Sequence, residues 1–178
     1  ADSQAGESYV VYGSETRSGA ALDLSDLNGT NGFQINGIDA GDRSGASVSS
    51  AGDVNGDGID DLIIGAYGAN SYTGESYVVY GSKTRSESEL DLSDLNGTNG
   101  FRIDGVKTYD NSGISVSSAG DVNGDGIDDL IIGAYGANSY TGESYVVYGS
   151  DTRSAAALDL SDLNGTNGFQ MNGIDEND

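Results

Sequence analysis

The sequence predicts an all-β chain made of repeated four-stranded antiparallel units, and three observations predict it. The 178 residues include 29 Gly but no Pro, Cys, Trp or His, a composition suited to many turns and small core residues rather than to helices. Ser47 to Ser82 recurs unchanged as Ser115 to Ser150, an offset of 68 residues. The apolar stretches inside each unit are short, β-branched and separated by Gly, Asn, Asp and Ser clusters. A unit of this length exceeds a solenoid turn but suits a four-stranded propeller blade with generous loops.

The elements follow in order within one unit. Strand A falls near Ala46 to Gly52. Strand B is the run Asp61 to Ala66, Asp-Leu-Ile-Ile-Gly-Ala, short and β-branched enough to read as a strand buried on both faces. Strand C, Glu75 to Gly81, puts Tyr77 and Val79 on one face and Val78 and Tyr80 on the other, as a blade covered on both sides requires. Strand D, Gly100 to Gly105, places Phe101 and Ile103 on one side and Arg102 and Asp104 on the other, the pattern of an outer edge strand. Leu90 to Leu95 is compatible with a short helical turn or with an extended linker. Asn28, Asn96 and Asn164 each open an Asn-Gly-Thr sequence, which matches the N-glycosylation pattern but is first a tight-turn sequence.

The same offset carries Glu7 to Ser14 onto Glu75 to Ser82 and Glu143 to Ser150, so the chain opens at strand C. The expected organisation is one repeat domain over 1–178: a partial blade at 1–38 with strands C and D, a full blade at 39–106 and a second at 107–178. That makes ten strands, or about two and a half blades. Propellers close with about 4 to 8 blades, so a ring needs copies of this chain or a longer parent chain.

Charge narrows the function. With 29 acidic and 7 basic side chains the net charge is −22, which repels phosphate backbones and anionic membranes and favours cations. Without His and Cys there is no thiol nucleophile, no zinc-thiolate site and no imidazole base, and the sequence is read as non-enzymatic. No stretch approaches the roughly 18 apolar residues of a membrane helix. The start, Ala1-Asp2-Ser3-Gln4, lacks a basic and apolar leader, as in an already processed chain.

Two identical nonapeptides, Asp53 to Asp61 and Asp121 to Asp129, read Asp-Val-Asn-Gly-Asp-Gly-Ile-Asp-Asp. Asp53, Asn55, Asp57 and Asp61 put side-chain oxygens at positions one, three, five and nine, and Ile59 offers its carbonyl at position seven. The second loop offers Asp121, Asn123, Asp125, the Ile127 carbonyl and Asp129. Hard Ca²⁺ takes about 6 to 8 oxygen ligands, whereas Mg²⁺ demands a tighter octahedron and softer metals prefer the missing His and Cys. Gly58 stands where such loops need positive φ, and Asp60 is expected to face solvent. An EF-hand is ruled out because its twelfth position, a Glu, is Ile64 or Ile132 here. Calcium is the expected cofactor, structural rather than catalytic, and its binding should be coupled to folding.

These residues resemble the FG-GAP repeat of integrin α-subunit propellers: strand A, an Asp-x-Asn-x-Asp-Gly-x-x-Asp loop, then a strand ending in Gly-Ala-Pro. Gly65-Ala66-Tyr67 and Gly133-Ala134-Tyr135 stand in place of Gly-Ala-Pro, and Ser44-Gly45 and Ser112-Gly113 in place of Phe-Gly. The resemblance implies calcium on the A–B hairpin at one face of the propeller. It implies ligands on the opposite face, formed here by Gly65 to Gly74 with Tyr67 and Tyr72, Gly133 to Gly142 with Tyr135 and Tyr140, and the segments Asp39 to Arg43 and Lys107 to Asp110. The function to expect is a calcium-binding scaffold for adhesion or ligand binding. A lectin stacking sugars on those tyrosines, or an architectural self-assembling array of natural or engineered origin, is the alternative. The partners to expect are calcium, further blades and a protein or glycan ligand, with secretion or cell-surface display suggested by the affinity range of such loops.

Overall fold

The computed structural model describes residues 4–16 and 19–175. Among them are β1 (Glu7–Val11), β2 (Gly32–Asn36), β3 (Ser47–Gly52), β4 (Asp61–Ala66), β5 (Glu75–Val79) and β6 (Glu89–Asp91). The rest are β7 (Gly100–Asp104), β8 (Ser115–Gly120), β9 (Asp129–Ala134), β10 (Glu143–Val147), β11 (Ala157–Asp159) and β12 (Gly168–Asn172). They form three mainly antiparallel sheets in the orders β1-β2-β6, β11-β7-β5-β4-β3 and β12-β10-β9-β8. The chain is all-β and its sheets are propeller blades, the first of them partial.

Why each strand forms where it does follows from its side chains. In β4, Ile63 and Ile64 point to opposite faces and pair with Val78 and Tyr77 of β5, so β-branched and aromatic groups meet across the strands. Ile64, Tyr77 and Val79 then pack on Phe33 and Ile35 of the first sheet. Ile63, Val78 and Phe101 pack on Leu130, Ile132 and Tyr145 of the third. The core is therefore two apolar layers between three blades, and each buried Val, Ile or Phe contributes about 1.5–3 kcal/mol relative to exposure. Strands A and B meet at a register shift between Ser50 and Gly52, and between Ser118 and Gly120 in the next unit, at the mouth of the nonapeptide loops.

Two expectations are corrected. Twelve strands are present among the described residues rather than ten, because the Leu90 to Leu95 region is both alternatives at once: extended at β6, then a 3-10 turn at Leu92–Asp94. Nor is strand D always an outer edge. β6 lies parallel to β2 of the preceding blade, and β11 lies parallel to β7, so a short strand of each full unit closes the blade before it. Leu92 and Leu160, which follow these strands, are buried beneath the joints. The Asn-Gly-Thr sequences are turns: Asn28, Asn96 and Asn164 each accept from the backbone N–H and hydroxyl of the Thr two residues on.

Candidate metal centres and the opposite face

The loop from Asp53 to Asp61 is curled by its own side chains. Asp53 accepts the Asp57 N–H on Oδ1 at 3.0 Å and the Gly58 N–H on Oδ2 at 2.8 Å. Asn55 accepts the Asp57 N–H at 2.9 Å, and Asp57 accepts the Ile59 N–H at 2.9 Å. These are successive Asx turns, the local bonding that Asp and Asn offer a backbone leaving a strand. Gly58 supplies the expected positive φ, +82°, and Gly126 matches it at +91°. In the second loop Asp121 accepts from Gly124, Asp125 and Gly126, Asn123 from Asp125, and Asp125 from Ile127.

Asp61 closes the loop from the strand side. It is fully buried and accepts the Val54 N–H at 3.0 Å and the Gly81 N–H at 2.8 Å. Burial pushes its carboxyl up to about 6, against the pull of those two N–H groups, and the nearby Asp57 and Asp53 charges add to the rise. Asp129 repeats the geometry with Val122 and Gly149 at 2.9 Å each. Asp60 is exposed as expected, but its counterpart Asp128 is half-buried, because its Oδ2 accepts the Asp53 N–H at 2.9 Å. The Asp128 N–H in turn donates to the Asp53 carbonyl at 3.1 Å, so the two loops are bonded to each other.

Among the described residues no group of three or more His, Cys, Asp or Glu side chains is gathered as a ready metal site. The oxygens expected to form a cage are instead turned onto the loop's own N–H groups. The donor chemistry nevertheless fits a hard cation. A carboxylate oxygen that accepts one N–H keeps a second lone pair, and each loop offers only oxygen donors, from three carboxylates, one amide and one carbonyl. Asp53, Asn55, Asp57, Asp61 and the Ile59 carbonyl would hold one ion, and Asp121, Asn123, Asp125, Asp129 and the Ile127 carbonyl a second.

At the far end of the strands lie the four tyrosines. Tyr67 and Tyr72 form a tilted pair with ring centroids 6.4 Å apart, and Tyr135 and Tyr140 a pair at 6.2 Å. Arg43, from the D–A connection, donates to the Tyr67 hydroxyl at 2.7 Å and lies over both rings of the first pair, at 5.2 and 5.4 Å. Tyr109, from the next D–A connection, stacks on Tyr72 at 6.2 Å. The structure thus brings B–C and D–A connections together. The second pair carries no arginine, because Asn111 occupies the position of Arg43 and donates to the Tyr109 carbonyl instead.

Sequence reasoning missed the backbone of this face. Asn70, Ser71 and Tyr72 lie inside a single helical turn but at φ of 49°, 59° and 64°, and Asn138, Ser139 and Tyr140 repeat this. Left-handed Ser and Tyr are uncommon and cost energy that surrounding bonds must hold in place. Here Thr73 bonds the Asn70 carbonyl and the Asn70 amide donates to Glu75 at 2.6 Å. Their only sequence sign is the Gly that closes each turn, Gly74 or Gly142.

Blades whose A–B hairpins carry Asp/Asn loops, with aromatic connections at the other end, define a class: propeller repeats with curled, Asp-rich hairpin loops. The FG-GAP repeat family matches residues 44–79 and 112–147. Each full blade thus carries one segment that matches the FG-GAP repeat, and the chain is similar to parts of longer proteins. Integrin alpha pat-2 of Caenorhabditis elegans is 36% identical over 100 residues, 56% of this chain and 8% of that protein. Integrin alpha-PS2 of Drosophila melanogaster is 31% identical over 135 residues, 69% of this chain and 9% of that protein. A phosphatidylinositol-glycan-specific phospholipase D of Bos taurus is 35% identical over 136 residues, 72% of this chain and 14% of that protein. The chain therefore spans a small part of the length of each of these relatives.

Proposed function

We propose that this chain is a calcium-stabilised propeller scaffold that presents ligand-binding connections on the face opposite its metal loops. The observation that carries the reading is the pair of Asx-curled nonapeptides, whose oxygen-only donors and mutually repelling carboxylates call for a hard cation. The cation would neutralise charge and tie each A–B hairpin, a structural role with no chemistry of its own. The family match and the integrin relatives support an adhesion or ligand-binding use. The resemblance to a phospholipase D covers 14% of that enzyme and is read here as a shared scaffold rather than a shared reaction. No helix among the described residues is long and apolar enough to cross a membrane. Secretion or cell-surface display is part of the proposal, because loops of this kind suit calcium at about 10⁻⁴ to 10⁻³ M.

Thermal unfolding followed by circular dichroism, with calcium and with a chelator, tests the reading. The midpoint should rise with calcium, by an amount equivalent to about 2.7 kcal/mol per site at one hundred times the dissociation constant. An unchanged midpoint removes the metal from the account.

A second reading, carbohydrate binding, is favoured by one observation: Tyr135 and Tyr140 form a tilted, exposed aromatic pair beside polar loops, the surface on which sugar rings stack. Binding of this chain on a glycan array, lost on Tyr135→Ala, supports it, and an array without signal removes it.

A further inference from the structure

Each internal joint between blades is built the same way, and the chain carries an unused copy of both halves of it. At the first joint β6 lies along β2 with Gln34 opposite Glu89, Ile35 opposite Leu90 and Asn36 opposite Asp91. The Gln34 N–H donates to the Ser88 carbonyl at 2.8 Å. At the second, β11 lies along β7 with Arg102 opposite Ala157, Ile103 opposite Leu158 and Asp104 opposite Asp159, and the Arg102 N–H donates to the Ala156 carbonyl at 2.9 Å. The leucine after the short strand is driven under the joint, so Leu92 and Leu160 are each 2% exposed. The strand it covers is buried as well, with Phe33, Ile35, Phe101 and Ile103 between 1% and 4% exposed.

The first unused half is Ala21-Leu22-Asp23, identical in sequence to β11 and likewise followed by a 3-10 turn, Leu24–Asp26. It pairs with no strand among the described residues, and Leu24 is 42% exposed where its equivalents are covered. The second is the outer edge of β12, which among the described residues has a neighbour only on its β10 side. Its Phe169 and Met171 are each 38% exposed, and Val122 on the same blade is 51% exposed against 3% for the equivalent Val54.

We propose that these two surfaces are the head and tail of an interface between copies of this chain. Ala21 to Asp23 of one copy lies parallel to β12 of the next, with Ala21 opposite Gln170, Leu22 opposite Met171 and Asp23 opposite Asn172. The Gln170 N–H donates to the Ala20 carbonyl, and Leu24 covers Phe169 and Met171. The register is transferred from two joints inside the chain, and a second copy is the partner because this polypeptide supplies both complementary surfaces. Such contacts are head-to-tail, so a pair of copies leaves one head and one tail free for further copies. A net charge of −22 per copy opposes association, and salt screens that repulsion, so assembly strengthens with ionic strength. The proposal rests on the blade reading of the fold and not on calcium.

Sedimentation velocity of the calcium-loaded chain, repeated with chelator, reads the assembly directly. Species above the 18.1 kDa monomer should grow with protein and salt concentration. Leu24→Asp alone and Met171→Asp alone should each stay monomeric with the parent melting temperature, both sites being partly exposed. An equimolar mixture should form a heterodimer and nothing larger, from the intact head of M171D and the intact tail of L24D. Because the chain has no cysteine, mixing Leu22→Cys with Met171→Cys chains under oxidation should yield a disulfide-linked heterodimer, a readout that needs neither charge substitution. A folded parent chain that remains at 18.1 kDa at every concentration overturns the proposal and leaves both faces to further units of a longer polypeptide. So does assembly unaffected by either Asp substitution, or a mixture of cysteine chains that fails to cross-link. Loss of the chelator effect on melting with assembly intact would strike the calcium reading alone.

Discussion

A carbon added at Gly65 would stand 1.9 Å from the Gly113 carbonyl oxygen of the neighbouring blade and 2.3 Å from the Ser47 hydroxyl. At Gly133, the same position one unit later, the nearest atom is the Ser115 hydroxyl at 2.4 Å, and no neighbouring blade backbone is in reach. Gly65→Ala should therefore cost about 1–3 kcal/mol as an overpacked interface, and Gly133→Ala less than ~1 kcal/mol as a hydroxyl swings aside. Denaturant midpoints of the two variants check this, and equal losses would mean that the blades do not approach as closely as they do here. Tyr77 contributes to the alkaline pH dependence. Burial first, then donation to Glu75 and the charge of that carboxylate, raise its hydroxyl above the ordinary 10.0, and Tyr145 is raised likewise by burial and Glu143. A folded value above the unfolded one gives stability that is complete below pH 10 and is lost as pH rises beyond it. In an alkaline titration followed by tyrosinate absorbance, these two should ionise only as the fold melts, and Tyr77→Phe should move the melting to higher pH. At this scale the curl of the loop and the positive φ at Gly58 were legible, because they depend on neighbours within the nonapeptide. The bond from Asp61 to Gly81 and the bridge from Asp128 to Asp53 were not, because they join positions far apart in sequence.

Strand B was legible to the residue, Asp61–Ala66, because a β-branched run between turn-forming loops has one good solution. Strands A, C and D were legible to within a residue or two at their ends. The parallel strands β6 and β11 were not, since three residues carry no periodicity and their extended form depends on an edge contributed by the preceding blade. Their weight in the fold is measurable by truncating the leucine that follows each. Leu160→Ala, at a fully covered position, should lower stability by about 2–5 kcal/mol. Leu24→Ala, the same residue in the partly exposed first copy, should cost well under half as much in the monomer. Equal effects would mean that the joints contribute little. Arg85 and Arg153 reinforce the same joints from above, 4.9 and 4.7 Å over the rings of Phe33 and Phe101.

Across the whole molecule, charge and architecture are linked. Twenty-nine acidic groups against seven basic ones leave a surface that repels itself, and the two loops concentrate part of that charge where Asp128 bonds one loop to the other. Neutralising either loop should therefore steady its neighbour as well, and the two sites should not behave as independent ones. The repeat period made the blade architecture legible at this scale, whereas the surfaces left open at β12 and Ala21 to Asp23 became visible only when internal joints could be compared with them. The most direct test of the central claim is calorimetric titration of the metal-free chain with calcium. The account predicts two ions bound per chain, falling to one for Asp57→Ala or for Asp125→Ala and to none for the double variant, each still folded by circular dichroism. A folded parent chain that binds no calcium, or one whose stoichiometry is unmoved by both substitutions, would contradict it.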